Sequence, residues 1–526
     1  MAPRKREVYN SVLDLHFMRI RDFFIFVCRE RSILPMNSSY YPTLEQAKAC
    51  RAEYRTVPVS RTILSDMCTP VKALRILKSV SRHCFILESL EDAKQWGRYT
   101  FLGYDPKLEL TCLDGTVRIR SGTTVTVPDA DPAAYIRRIV EENKCPRIEG
   151  LPPFTGGLMG YFAYDSIRYA EPSLDLSAAD EEHFNDIDLM LFDKIIAFDH
   201  FCQTITLICS AKTEELEESY RAACLELDAM TELLRHGTPG EKQPLRLKSE
   251  FMPLFDKERY CAMVEKAKRY IYEGDIFQVV LSNRLAAEAE GSLLDVYRLL
   301  RTRNPSPYMF YISGDSVEIA GCSPETLVKL TDGVLHTFPL AGTRPRGATE
   351  AEDKALEQEL LADPKELAEH NMLVDLGRND LGRLSKFGSV RVEKYMNIER
   401  YSHVMHIGST VRGELREDKD AVDAIQSVLP AGTLSGAPKL RACEIIRELE
   451  NNKRGIYGGA VGYIDFTGNM DTCIAIRLAF AKNGRVFIRA GAGIVADSVP
   501  EKEYQECLNK AAAVVEAVLA AEGGIG

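Results

Sequence analysis

The sequence predicts a large mixed α/β protein of the α+β kind, built on hairpin-forming strands with helices interleaved among them. Three observations carry this. Thr472, Ile474, Ile476, Leu478 and Phe480 alternate with Cys473, Ala475, Arg477 and Ala479, the period of a single strand, and Asn483-Gly484 is a turn signal that folds it back onto 486–490. Residues 57–127 and 188–210 read mainly as strands and turns. Strand and helix do not alternate regularly, as a parallel doubly wound sheet would require. At 526 residues the chain can bury a large core, as two domains or as one large unit.

Residues 1–40 are a basic, aromatic extension containing Arg4-Lys5-Arg6 and Phe23-Phe24-Ile25-Phe26. It lacks the long apolar core and cleavage site of a signal peptide, and Glu7, Asp14, Asp22 and Glu30 argue against a transit peptide. It is expected to be poorly ordered, with Met36 an alternative start. Residues 41–235 form a first region. It holds a short helix at 43–54, helices near 70–79, 132–143 and 213–234, and a strand at 85–89. From pattern alone, Glu88-Ser89 are solvent-facing residues at a strand edge. Residues 154–165 form a glycine-rich strand where two backbones come close. Residues 236–249 are linker-like.

The second region, 250–521, has longer elements. An amphipathic helix at 256–273 stops at Gly274, and a strand at 276–283 carries Gln278. A helix at 293–303 leads to a rigid turn, Asn304-Pro305-Ser306-Pro307, and another strand ends in Cys322-Ser323-Pro324-Glu325. The basic loop 338–347 lacks the Gly-Lys-Ser/Thr of a phosphate loop.

A net charge of −11 implies no general affinity for nucleic acid or anionic membranes. No apolar run is long enough to span a bilayer. The 14 cysteines form no Cys-x-x-Cys and no zinc-spaced cluster, which points to a reducing, cytoplasmic setting.

Several residues suggest chemistry. Arg477 stands alone among small residues, a fork suited to a carboxylate. Gly491-Ala492-Gly493 lets backbone approach a ligand closely. Ser498-x-x-Glu501, with Pro500 inside it, reads as a capping box. The helix it starts places Glu503, Glu506 and Lys510 in line with Cys507, Val514, Ala517 and Val518. Asp363-Pro364-Lys365-Glu366 starts another helix, on which Glu366 and Glu369 share a face with Leu373 and Leu376. One such acidic pair is ordinarily a solvated face. Two capped pairs, each aligned with an apolar stripe, suggest carboxylates converging on a hard cation, magnesium first. His403 and His406 fall three apart on a strand and face opposite sides, so they share no site.

These residues lie in motifs that resemble the chorismate-utilising enzymes, and within them the anthranilate synthase component I family. The resemblance covers 41 to about 519 and is densest through GDIFQVV, NPSPYMF, SPETLVKL, PLAGTRPRG, DPKELAEHNMLVDLGRNDLGRL, YSHVMH, LPAGTLSGAPK, IYGGAVGY and GAGIVADS. It implies two antiparallel sheets packed together, helices outside, and an active site in the cleft between them. It implies magnesium on Glu369 and Glu506 with Glu366 and Glu503 beside them. Chorismate would meet Gly342, Thr343, Tyr457, Arg477, Gly491, Ala492, Gly493 and Lys510. Glu325 would act as general acid and His406 in pyruvate elimination, with the Thr433 hydroxyl facing the same cleft. A tryptophan feedback pocket would use Ser89, Pro307, Tyr308 and Met309. A separate glutamine amidotransferase subunit, component II, would supply ammonia, since no amidotransferase motif is visible here.

Relatives of the same fold differ at two positions. Aminodeoxychorismate synthases typically carry lysine where this chain has Ala341, an amine that can attack the ring. Isochorismate and salicylate synthases activate water with lysine where this chain has Gln278, and an amide is no base. An inactive tryptophan-binding scaffold would need a lost ligand, yet Glu325, Glu369, His406, Arg477 and Glu506 are all present.

Overall fold

The computed structural model describes residues 40–90, 97–400 and 404–525. The extension, apart from Tyr40, and His403 therefore lie outside the described residues. Elements that build the site are named along the chain. They are β1 (Cys84–Glu88), β2 (Gln278–Glu290), α1 (Leu294–Arg303), β3 (Tyr308–Ser313), β4 (Glu318–Ser323), β5 (Thr326–Thr331), β6 (Leu340–Pro345), α2 (Pro364–Gly382), β7 (Val404–Glu414), α3 (Lys439–Glu450), β8 (Met470–Ile474), β9 (Leu478–Lys482), β10 (Arg485–Ile494) and α4 (Pro500–Ala521).

Among the described residues the strands form one sheet of 13 and another of 12. The first runs, in part, β1-β3-β4-β9-β10-β2, and the second contains β6, β7, β5 and β8. Both draw strands from either side of residues 236–249. The sheets pack face to face over an aromatic core in which Phe85, Phe310 and Phe480 of the first meet Phe192, Met159 and Val461 of the second. Helices cover the outer faces, where α4 buries Cys507, Val514, Ala517 and Val518.

Local chemistry explains most element ends. Asp363 accepts from the N–H groups of Lys365 and Glu366, with Pro364 at the first turn of α2. Gly274, at φ +87°, ends the helix Lys257–Glu273. Asn483 and Gly484 both take positive φ, and the hairpin pairs Lys482 with Arg485 and Phe480 with Phe487. In the glycine-rich strand a Cβ on Gly160 would lie 2.0 Å from the Asp188 carbonyl oxygen.

Three expectations are corrected. The alternation from Thr472 to Phe480 is not one strand. The chain breaks at Ala475–Arg477, where Arg477 sits at φ +52°, so β8 lies in one sheet and β9 in the other. Both faces of each piece are buried, and period two cannot reveal a change of sheet. The Ser498–Glu501 box does not form. Pro500 occupies the first turn of α4 and makes Val499 the cap, so Ser498 lies one residue too early and its hydroxyl instead accepts from Val495 N–H. Glu88 is not at an edge. β1 is flanked by Tyr99–Tyr104 and by β3, and Glu88 is 5% exposed.

Candidate active site

The chain passes from one sheet to the other twice, side by side. β4 leads into β5 through Pro324-Glu325, and β8 leads into β9 through Ala475–Arg477. The crossings are stitched together: Ile474 N–H donates to the Glu325 carbonyl at 3.0 Å, and Cys322 N–H donates to the Arg477 carbonyl at 3.0 Å. Glu325 and Arg477 thus enter one cleft where the sheets part. Burial pushes the Glu325 carboxyl up to about 7, against the Thr433 hydroxyl and the Arg477 charge. Thr433 Oγ1 donates to Glu325 Oε1 at 3.5 Å. Both residues line a cavity with Leu373, Leu376, Asp380 and Ile474. Arg477 is exposed and, among the described residues, has no ion pair.

His406 reaches the same place from β7. β6 pairs with β7 through Ala341↔Ile407 and Arg344↔Met405, and the irregularity between them bulges Gly342 and Thr343 toward His406. His406 Nδ1 lies 2.7 Å from the Gly342 carbonyl and 3.1 Å from Thr343 Oγ1. A carbonyl can only accept, so Nδ1 carries the proton and Nε2 is the basic nitrogen. Burial lowers the imidazole from its usual range, and Arg477 adds to this. The neutral ring is therefore the resting form.

Tyr457 is buried with its hydroxyl against Gly491, where an added Cβ would stand 3.0 Å from it. A Cβ on Gly493 would stand 2.8 Å from Gln278 Nε2. β10 and β2 pair Gly491 with Ser282, Ala492 with Leu281 and Gly493 with Val280. Tyr457, Gly491–Gly493 and Gln278 thus form one wall.

The acidic pairs stand on α2 and α4. Glu369 is exposed on α2, with protein groups crowding its carboxyl. Burial raises its carboxyl, Glu366 and Glu506 add to this, and Lys365 and Lys510 oppose it. Burial also raises Glu503, with Glu506 adding. The four carboxylates therefore lie within electrostatic reach of one another, and carboxylate oxygens are the donor type that a hard cation takes. Among the described residues, no three His, Cys, Asp or Glu side chains lie close enough to hold a metal. Arg344 Nη1 instead sits 3.5 Å from Glu366, and Lys510 pairs with Glu506 at 2.7 Å.

A second group stands on β1 and β3, and its Tyr308 hydroxyl lies 2.9 Å from Thr326 Oγ1, next to Glu325. β1 pairs with β3, Met309 opposite Glu88. Leu90 N–H donates to the Ser306 carbonyl at 3.2 Å, holding Ser89 beside Pro307, Tyr308 and Met309. The Ser89 hydroxyl is buried and, among the described residues, lacks a hydrogen-bond partner. Glu88 takes Tyr297 and, at 2.5 Å, Arg301 of α1.

Sequence reasoning missed Glu450, Arg454 and Arg489, fully buried behind the Tyr457 wall. Arg489, alone among Val486, Phe487, Ile488 and Ala490, was the available signal.

The fold and this cleft define a class. The family of chorismate binding enzymes matches residues 83–516. Anthranilate synthase component 1 of Acinetobacter calcoaceticus is 47% identical over 494 residues, 91% of this chain and 98% of the relative; that of Acetivibrio thermocellus is 45% identical over 493 residues, with the same coverage. The crystal structure of anthranilate synthase component I from Streptococcus pneumoniae TIGR4 superposes with a TM-score of 0.71 at 38% identity, over 86% of this chain and 98% of that one. The menaquinone-specific isochorismate synthase of Escherichia coli, at 21% identity and a TM-score of 0.64 over 90% of this chain and 98% of its own, shares the fold. The chain belongs to the chorismate binding enzymes and, within them, to the anthranilate synthase component 1 family.

Proposed function

We propose that this chain converts chorismate and ammonia to anthranilate and pyruvate, a lyase reaction that opens tryptophan biosynthesis. The choice of reaction rests on one pair of residues. Gln278, an amide, lies against Gly493, and Ala341 is a buried methyl opposite Ile407. Neither can activate water or attack the ring, which leaves ammonia as nucleophile.

The roles are those that the family resemblance implies, and the geometry supports them as follows. Arg477, without a protein counter-charge among the described residues, takes the enolpyruvyl carboxylate together with Tyr457. The Gly491-Ala492-Gly493 backbone admits the ring carboxylate end. Glu325, protonated near neutral pH, gives its proton to the departing C4 hydroxyl as ammonia adds at C2. Neutral His406, its Nδ1 proton held by Gly342, accepts the ring proton at Nε2 as pyruvate leaves. Each transfer is worth ~10²–10⁴ in rate. Glu366, Glu369, Glu503 and Glu506 would hold magnesium, which when bound offsets their charge toward a dianionic substrate.

Tryptophan at Ser89, Pro307, Tyr308 and Met309 would act as feedback inhibitor. A glutamine amidotransferase subunit would deliver ammonia. Residues 41–235 would form the regulatory region and 250–521 the catalytic one, joined through 236–249. The free thiols of the described cysteines support a cytoplasmic setting. The test is nitrogen source. The chain alone should use ammonium but not glutamine, and gain glutamine use when component II is added. Glutamine use by the purified chain alone would overturn the reading.

A further inference from the structure

Behind the Tyr457 wall lies a charge cluster that touches no solvent. Glu450 ends α3, Arg454 lies four residues on, and Arg489 points in from β10; their side chains are 0–1% exposed. Glu450 accepts from Arg454 Nη2 at 2.6 Å and Nε at 3.0 Å, from Arg489 Nη2 at 2.9 Å and from Ser282 N–H at 2.7 Å. Ser282 Oγ accepts from Arg489 Nε at 2.9 Å and donates to Glu450 at 3.0 Å. Two guanidinium groups meet one carboxylate, so the cluster holds an excess positive charge.

Burying three charges does not by itself stabilise a fold, because desolvation offsets the attraction. What this cluster does is tie segments together. Arg454 Nη1 donates to the Leu434 carbonyl at 2.6 Å, the residue after Thr433. Its Nη2 donates to the Val280 carbonyl at 2.7 Å, opposite Gly493. Its guanidinium covers the Tyr164 ring at 4.6 Å and stands 6.0 Å from the Tyr457 ring. Arg489 adds the Lys453 carbonyl at 3.0 Å and Asn452 Oδ1 at 2.9 Å, and lies two residues before Gly491.

We propose that Arg454, held by Glu450 and Arg489, is a positioning residue that sets the distance between the Thr433–Glu325 side of the cleft and the Tyr457–Gly491–Gly493 wall. Only a planar fork reaches both Glu450 oxygens and two carbonyls of different segments at once. A lysine keeps the charge and loses the fork. A misplacement of about 1 Å in a site of this kind costs about 10²-fold in rate.

The inference rests on the ammonia-dependent reaction proposed above. The experiment compares full-length wild type, Arg454→Lys and Ser282→Ala with chorismate and ammonium, by KM, kcat and thermal midpoint. In Arg454→Lys, kcat should fall about 100-fold, with a smaller change in KM and a cooperative thermal transition retained. Ser282→Ala, a milder cut that removes the hydroxyl bridging Arg489 and Glu450, should lower kcat in the same direction, and decides the matter if Arg454→Lys does not fold. A merely structural role would lower the midpoint and leave kcat per folded molecule unchanged; that result, in whichever variant folds, overturns the proposal. A wild type that makes no anthranilate overturns the reaction instead.

Discussion

Replacing Glu325 by glutamine should remove turnover and yet stabilise the protein at alkaline pH. Burial raises this carboxyl from 4.5 to about 7. The folded state therefore binds a proton that the unfolded chain releases between those values. Stability contributed at this site is full below pH 4.5, falls as pH rises, and stays low above about 7. At ~1.4 kcal/mol per unit the shift corresponds to about 3 kcal/mol, which partial exposure of the side chain reduces to about 1–3 kcal/mol. Glutamine is neutral throughout, matches the shape and keeps an acceptor for Thr433. The assay is urea unfolding of wild type and variant at pH 5, 6, 7 and 8. The stability difference should be small at pH 5 and grow to about 1–3 kcal/mol in favour of the variant at pH 8. A difference independent of pH, or a variant less stable at pH 8, would refute the reasoning that an acid is kept here against its own ionisation.

The other predictions concern the rest of the cleft and its partner sites. Glu369→Gln and Glu506→Gln should abolish magnesium-stimulated turnover while leaving the thermal midpoint unchanged or raised, since each removes one of four mutually repelling carboxylates; full activity of either variant in EDTA contradicts this. The pH–rate profile should lose activity above about 7, as Glu325 ionises, and below the lowered range of His406, as its imidazole takes a proton; a profile flat from pH 5 to 9 would exclude the Glu325 role. Substituting Ser89 by phenylalanine should relieve inhibition by tryptophan and spare basal turnover, measured by product fluorescence with and without the amino acid. Ala341→Lys should lose anthranilate formation or trap a covalent adduct on its loop, read by intact mass.

Much of the fold was legible because its signals are local. The Asp363 cap, the Gly274 stop and the Asn483-Gly484 turn each depend on a few adjacent residues, and each appears where expected. What was not legible depends on long-range burial. Nothing in the alternation around Arg477 marks the point where the chain leaves one sheet for the other. That break at φ +52° is what aims the arginine into the cleft. Glu88 reads as a surface residue until α1 supplies Tyr297 and Arg301 from 209 and 213 positions away. Glu450 and Arg454 carry no signal of burial in the sequence, and only tertiary packing joins them to Arg489 in a buried cluster. Site residues were nameable chiefly because their motifs resemble a family, whereas the tautomer of His406 and the raised acidity range of Glu325 come from geometry alone.

The most direct test of the account is the identity of the product. Purified chain is incubated with chorismate, magnesium and ¹⁵N-labelled ammonium, and the products are separated and weighed. The account predicts anthranilate carrying the label, with an equal amount of pyruvate, and no isochorismate or salicylate when ammonium is left out. Accumulation of labelled 4-amino-4-deoxychorismate, or of isochorismate without ammonium, would contradict the reading of Ala341 and Gln278 on which it stands.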